Sequence, residues 1–230
     1  MVKDQYFKVK IIMLCCYVQK LMRSLRWVAL LLSLPALSFA HPHAWIELQV
    51  TVLANANGEA TGLAQEWLFD PYYSIIVLED MGADVEGSNA DEWLNGIAQQ
   101  MLANLADFSY FTEVTHGDES IKSLTPGDYQ LRAEGDQLRL RFELLWPTPL
   151  ALSTTPLRYA IADPTYYIEM LHHGGTQSIQ VDPALNCKVK LRAPNPSPRM
   201  IARAAALDVD QMGDPTLGRH FAERVVIQCD

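Results

Sequence analysis

The chain has 230 residues, of which 49% are apolar and 20% charged, and this length is enough to bury a hydrophobic core in one or two domains. The composition excludes disordered, collagen-like and coiled-coil proteins. Six of the 18 basic and one of the 27 acidic residues lie within residues 1–40, which leaves the remainder with a net charge of −14. Because so acidic a body repels phosphate backbones, we expect no nucleic-acid partner.

Residues 1–40 are predicted to be a signal peptide region. Arg23 and Arg26 precede an apolar run at 27–34, and Ser38-Phe39-Ala40 is a small-x-small cleavage site. The run is shorter than the roughly 20 residues of a membrane-spanning helix, so no span is expected after cleavage. An uncleaved N-terminal anchor is the alternative.

The order of basic, apolar and small residues in the signal peptide region predicts that translation starts at Met22. It also predicts that the mature, periplasmic protein begins at His41. Residues 41–230 would then form a single domain.

Strand signals dominate this domain. In 44–53, Ile46, Leu48, Val50 and Val52 alternate with polar residues, which predicts a half-buried strand. Strands are predicted at about 44–53, 59–69, 110–115, 128–133, 137–146, 156–162, 177–181, 186–192 and 221–229. Helices are predicted at 71–80, at 88–107 with Ser88 as cap, and after Ser197, which precedes Pro198 as first helical residue. We therefore expect an α+β fold, mainly antiparallel β with a sheet or sandwich core and two or three inserted helices.

One short pattern occurs twice. Asp70-Pro71-Tyr72-Tyr73 returns as Asp163-Pro164-Thr165-Tyr166-Tyr167, each time after a predicted strand. The recurrence is consistent with two similar β-rich halves, 41–125 and 126–230. Each aspartate can cap a helix or turn, and each can present a free oxygen to a ligand.

Two cysteines remain after the predicted leader, Cys187 and Cys229, both in predicted strands. In an exported chain such a pair favours one structural disulfide. A thiolate site is the weaker alternative, because the chain has no Cys-x-x-Cys spacing.

The histidines are the best candidates for chemistry. His41 and His43 open the predicted mature chain, where an α-amine and two imidazoles could bind zinc, nickel or copper. Pro42 has no N–H, which excludes the square-planar amine-amide-amide-imidazole motif. Other side chains must therefore complete a site, and the candidates are His172, His173, Asp70, Asp163 and the acidic segment 79–86.

Two other interpretations stay open for these regions. His41-Pro42-His43 can be a solvated terminus without a ligand. The segments 80–84 and 87–91 carry acids that suit a hard cation, but they lack the spacing of a calcium-binding loop. The isolated His116 and His220 are expected to be surface histidines.

Motifs of common enzymes are absent from the sequence, which contains no GxSxG, HExxH or Walker A pattern and no GxGxxG. We therefore expect no catalytic residues and a protein that is not an enzyme.

The chain resembles a family of uncharacterised bacterial exported proteins, described as a periplasmic component of an ABC-type transport system. The resemblance rests on His41-Pro42-His43-Ala44-Trp45-Ile46, on 66–73, on 139–144 and on Asp163-Pro164-Thr165-Tyr166-Tyr167. Glu47 stands where the family's opening more typically has Asp. Members are often encoded beside nickel/cobalt-type permeases, which implies a role in divalent transition-metal handling with an inner-membrane metal permease as partner.

Three functions are therefore considered. The first is a periplasmic accessory protein for zinc, nickel, cobalt or copper, which binds metal near its mature N-terminus. The second is an exported copper enzyme that uses the N-terminal histidine. The third is a structural or interaction domain without a ligand. The absence of βαβ alternation argues against a two-domain solute-binding protein.

Overall fold

A long hairpin formed by β1 (Ala44–Ala54) and β2 (Ala60–Phe69) lies at the centre of the larger of two sheets. In the turn, the side-chain oxygen of Asn55 accepts hydrogen bonds from the backbone N–H groups of Asn57 and Glu59. Gly58, in the same turn, has a φ of 71°, a conformation that glycine adopts without strain.

The computed structural model describes residues 42–80, 90–183, 185–208 and 211–230. The predictions for the leader, His41 and Ser88 lie outside these residues, as do those parts of the acidic segments 79–86, 80–84 and 87–91 that fall within 81–89.

The remaining strands divide between the two sheets. Those of the first sheet are β5 (Thr125–Glu134), β6 (Gln137–Leu150), β8 (Ile168–His172) and β9 (Ile179–Val181). Those of the second sheet are β3 (Thr112–His116), β4 (Glu119–Ile121), β7 (Leu157–Ile161), β10 (Cys187–Arg192) and β11 (Arg224–Cys229).

The strand order is β5-β6-β2-β1-β8 in the first sheet, where β9 also pairs with β1, and β10-β11-β7-β3-β4 in the second. Each sheet takes strands from 41–125 and from 126–230, so the two stretches are interleaved. All pairs in the second sheet are antiparallel. In the first sheet β1 pairs in parallel with β8 and with β9. The predicted α+β class, mainly antiparallel, is confirmed.

Three α-helices are described: α1 (Pro71–Asp80), α2 (Ala90–Ala106) and α3 (Pro198–Ala205). Leu94, Ile97 and Leu102 bury one face of α2, which packs against β5. Ser197 caps α3 as predicted, since its side chain accepts a hydrogen bond from the N–H of Met200.

One hydrophobic core serves both sheets and α2. It contains Leu48 and Phe142 from the first sheet together with Leu157 and Ile227 from the second, all shielded from water. The predicted apolar face of β1, Ile46, Leu48, Val50 and Val52, is wholly buried.

Two strands, β4 and β8, were not predicted. β4 has three residues, too few for an alternation to be visible. β8 has the sequence Ile-Glu-Met-Leu-His, in which apolar and polar residues do not separate cleanly onto two faces. β8 and β1 are about 120 residues apart in the chain, so no local sequence pattern could predict that they pair.

Candidate functional site

His43 lies at the start of β1, beside the loop that leads into β8. Its backbone N–H donates to the carbonyl oxygen of Tyr167 at 2.9 Å, which extends the parallel pairing of the two strands by one step. The rings of His43 and Tyr167 have centroids 5.0 Å apart, and Nε2 of His43 is shielded from solvent. The imidazole is therefore held by packing at the edge of the fold.

Asp70 joins the beginning of α1 to the beginning of β1. One carboxylate oxygen accepts from the N–H of Tyr73 at 2.9 Å, the bond expected of a helix cap. The other accepts from the N–H of Trp45 at 2.9 Å. Among the described residues each oxygen takes one hydrogen bond, and a carboxylate oxygen has a second lone pair.

Asp163 organises the loop between β7 and β8. This aspartate is 5% exposed, and its oxygens accept from the hydroxyl and N–H of Thr165 and from the N–H groups of Tyr167 and Ile168 at 2.8–3.1 Å. These four donor groups match the four lone pairs with which a carboxylate can accept hydrogen bonds. Asp163 therefore acts as a loop anchor in this structure.

Two glycines let another segment pass close to this loop. A Cβ atom on Gly213 would overlap the carbonyl oxygen of Thr165, and one on Gly218 would overlap that of Asp163. The N–H of Gly218 donates to the carbonyl oxygen of Pro164 at 2.8 Å. The segment around these glycines thus supports the Asp163 loop from behind.

The two Asp-Pro motifs both contact the start of β1, where Asp70 accepts from the N–H of Trp45 and the carbonyl oxygen of Tyr167 accepts from the N–H of His43. The first motif also contains the phenol of Tyr73. Burial raises the pKa of this phenol above its ordinary value, and nearby Tyr167, Asp163 and Asp70 raise it further. At neutral pH the phenol is consequently protonated and can donate a hydrogen bond. We call His43, Asp70, Tyr73, Asp163 and Tyr167 the N-terminal cluster.

Sequence reasoning found three members of this cluster and missed the two tyrosines as site residues. The signal was present in the repeated Asp-Pro-Tyr-Tyr pattern, in which the sequence analysis assigned a role to the aspartates and none to the tyrosines. What the sequence could not supply was the proximity of the two motifs, which depends on the parallel pairing of β1 with β8.

His172 and His173 lie elsewhere. The register pairs His172 with Leu48, which lies five residues after His43 along β1. At roughly 3.3 Å per residue, His172 is about 16 Å along the strand from the N-terminal cluster. The structure does not bring the histidine doublet to His43.

Each member of the doublet has protein partners. His172 is buried, with Nδ1 2.8 Å from a carboxylate oxygen of Glu223 and Nε2 3.1 Å from the hydroxyl of Tyr159. His173 is exposed, and its Nδ1 lies 3.2 Å from Glu47. Within the described ranges, which omit His41 and 81–89, no three His, Cys, Asp or Glu residues are arranged to hold a metal ion.

The predicted disulfide is confirmed. Cys187 and Cys229 are bonded, and they are directly paired residues at the ends of the antiparallel strands β10 and β11. The bond ties the last strand of the chain to its neighbour across 42 residues. It leaves neither thiol available as a ligand.

A family model described as a protein of unknown function, DUF1007, matches residues 27–229, and the chain belongs to this family. A relative from Haemophilus influenzae, named an uncharacterized protein, is 30% identical over 194 residues. The match covers 83% of this chain and 92% of that protein. Among the residues described here, no helix is long and apolar enough to cross a membrane.

Proposed function

We propose that this is a periplasmic accessory protein that handles divalent transition-metal ions, a carrier rather than an enzyme. The ion would bind at the mature N-terminus through the amine and ring of His41, the ring of His43 and a carboxylate oxygen of Asp70. Zinc, nickel and copper all accept such nitrogen and oxygen ligands.

The observation that carries this proposal is the position of His43 between the two Asp-Pro motifs. His43 packs on Tyr167 and stands one residue before β1, while Asp70 is bonded to the N–H of Trp45 in the same strand. A fixed imidazole and a fixed carboxylate lose little conformational entropy when they bind an ion.

Three of the ligands predicted from the sequence are left out of the proposed site. His172 and His173 are left out because the strand register separates them from His43. Asp163 is left out because four donors already occupy its oxygens. Its proposed role is to hold Tyr167, against which His43 packs.

The test is a calorimetric titration of the mature chain with zinc, nickel and copper. Intact-mass analysis first establishes that the exported protein begins at His41. Replacement of both His41 and His43 by alanine should lower the affinity at least about tenfold, the equivalent of about 1.4 kcal/mol. His173→Ala is the matched control, since this exposed histidine should not matter. Equal affinities for the wild type and the double variant would overturn the site.

Two further variants test the amine of His41 and the carboxylate of Asp70 one at a time. A chain that begins at Ala40 moves the amine away from the ring of His41 and should bind more weakly than the mature form. Asp70→Asn keeps one oxygen acceptor for the N–H of Tyr73 but loses the charge and the acceptor for the N–H of Trp45. It should weaken metal binding and lower the free energy of unfolding by about 1 kcal/mol. If Asp70→Asn binds metal like the wild type, the carboxylate is a cap alone.

An inner-membrane metal permease is the proposed partner, and its support is the resemblance to exported proteins encoded beside such permeases. In the cell that encodes the protein, loss of the gene should change the content of one transition metal. Complementation by the wild type should restore that content, and complementation by the variant lacking His41 and His43 should not.

A further inference from the structure

A second feature of the fold, unrelated to the N-terminal cluster in its chemistry, is a cleft of about 490 Å³ over β3, β4 and β7. Its volume lies within the range of sites that hold small organic molecules. Three small residues, Ala160, Ala162 and Ala222, line it and leave its interior open. Phe108, Phe111 and Ile121 supply larger apolar surface. The lining of the cleft thus combines apolar surface with polar and charged side chains.

One wall of the cleft is built on a left-handed turn. Ser109, Tyr110 and Phe111 have φ angles of 52°, 55° and 55°, a conformation that residues other than glycine rarely adopt even singly. Ser109 and Phe111 line the cleft, whereas Tyr110 is buried beneath them. Strained backbone of this kind persists only where the surroundings enforce it, and it concentrates at ligand sites.

A buried chain of hydrogen bonds enforces the turn. The hydroxyl of Thr112 donates to the carbonyl oxygen of Tyr110 at 2.7 Å and accepts from the side-chain amide of Gln65 at 3.0 Å. The carbonyl of the Gln65 amide accepts from the indole N–H of Trp67 at 2.9 Å. Gln65 and Trp67 belong to β2 of the first sheet, so the core of the protein holds the wall of the cleft in place.

The charges around the cleft are the reverse of those of the chain as a whole. Lys122, Arg219 and Arg224 line it, and the one acid among its lining residues, Glu113, is paired with Arg219 at 2.6 Å. The cleft therefore carries an excess of two positive charges in a protein whose residues after 40 carry a net −14. Cations around a low-dielectric cavity concentrate anions there.

We propose that this cleft binds a small organic anion with an apolar body, such as a medium-chain or aromatic carboxylate. The carboxylate pairs with the guanidinium and ammonium groups, and the apolar body lies on the alanines between the phenylalanines. Because the hydrogen bonds of Thr112 and Gln65 hold the strained turn, the wall needs little further ordering on binding.

The probe for this proposal is 8-anilinonaphthalene-1-sulfonate, an aromatic anion whose fluorescence rises in apolar sites, followed by competition with decanoate. Decanoate should displace the probe at micromolar concentration, and decyltrimethylammonium, a cation of the same chain length, should not. A variant with Lys122, Arg219 and Arg224 all changed to Gln should bind decanoate at least about tenfold more weakly. Lys190→Gln, which removes an exposed cation of β10 outside the cleft, should bind within about twofold of the wild type.

Ala160→Leu fills the cleft and should also abolish binding of the probe, and near-ultraviolet circular dichroism checks that this variant stays folded. The triple Gln variant changes only exposed side chains, so the test does not depend on Ala160→Leu. Displacement by the cation as readily as by decanoate, or unchanged affinity in the triple variant, would overturn the proposal. The variant lacking His41 and His43 should bind decanoate normally, so failure of the metal site and failure of the cleft are distinguishable.

Discussion

His172 and Glu223 are joined by two hydrogen bonds that end on the same carboxylate oxygen. The backbone N–H of His172 lies 2.7 Å from that oxygen, and its ring Nδ1 lies 2.8 Å from it. With the ring proton on Nδ1, Nε2 accepts from the hydroxyl of Tyr159 at 3.1 Å. Because β8 belongs to the first sheet and Tyr159 to the second, this buried group of three side chains bridges the two sheets.

Glu223→Ala should therefore destabilise the protein by about 2–4 kcal/mol, since it leaves two buried donors of His172 without their acceptor. Urea unfolding measures the free energy of unfolding. His173→Ala is the adjacent control and should change that free energy by no more than about 0.5 kcal/mol, because the side chain is exposed. Similar losses in the two variants would contradict the bridging role.

Glycine substitutions should have opposite effects at two positions. Gly218→Ala should lower the free energy of unfolding by at least about 2 kcal/mol, because the new Cβ would overlap the carbonyl oxygen of Asp163. Gly96→Ala should raise it by about 1 kcal/mol, since Gly96 lies inside α2 with open space beside it. Thermal unfolding of both variants tests this, and stabilisation by Gly218→Ala would refute the close approach.

Removal of the disulfide should cost about 4 kcal/mol on the chain-entropy model for a loop of this length. The comparison is urea unfolding of the wild type against the variant with both Cys187 and Cys229 changed to Ser. Thiol labelling of the denatured, unreduced protein should detect no free cysteine in the mature chain. Quantitative labelling of both cysteines would show that the bond does not form.

Stability should fall as the pH rises above about 10. Burial first, and the charge of Glu223 second, raise the pKa of Tyr159 well above its ordinary value. Between the unfolded and the folded pKa the folded state binds more protons than the unfolded state, so the free energy of unfolding decreases with pH. The stabilisation that Tyr159 contributes is fully present below the pKa that the phenol has in the unfolded state. It is lost as the pH rises towards the pKa that the phenol has in the folded state.

Tyr159→Phe should therefore show a shallower decrease, by up to about 1.4 kcal/mol per pH unit. Urea unfolding between pH 8 and pH 11 gives both slopes. The variant starts from a lower stability because it lacks the bond to His172, so the slope is the quantity to compare. Equal slopes would mean that the phenol titrates alike in both states.

Local patterns predicted most elements because their cause lies within each segment. The alternation of Ile46, Leu48 and Val50 depends on a period of two, and the cap at Ser197 depends on a side chain that reaches the N–H of Met200. The pairing of Cys187 with Cys229 was predicted from their number, since they are the two cysteines that follow the predicted leader and two cysteines have one way to pair.

The site was predicted less completely than the fold. His43 and Asp70 were chosen for their chemistry, and the structure brings them to one end of β1. His172 was chosen for the same chemistry, but its ring is enclosed by Glu223 and Tyr159. Residue type indicates what a side chain can bind, whereas burial and partners decide whether it is available.

The sequence by itself determined the strands with clean alternation, the capped helices, the disulfide and the acidic character of the chain. Only the tertiary structure decided that β8 lies parallel to β1, that both Asp-Pro motifs contact the start of β1, and that Gln65 holds a strained turn 45 residues later in the chain. The physical reason is range: side-chain periodicity and capping act over a few residues, while strand pairing and buried polar networks depend on contacts that exist only when the whole core has formed.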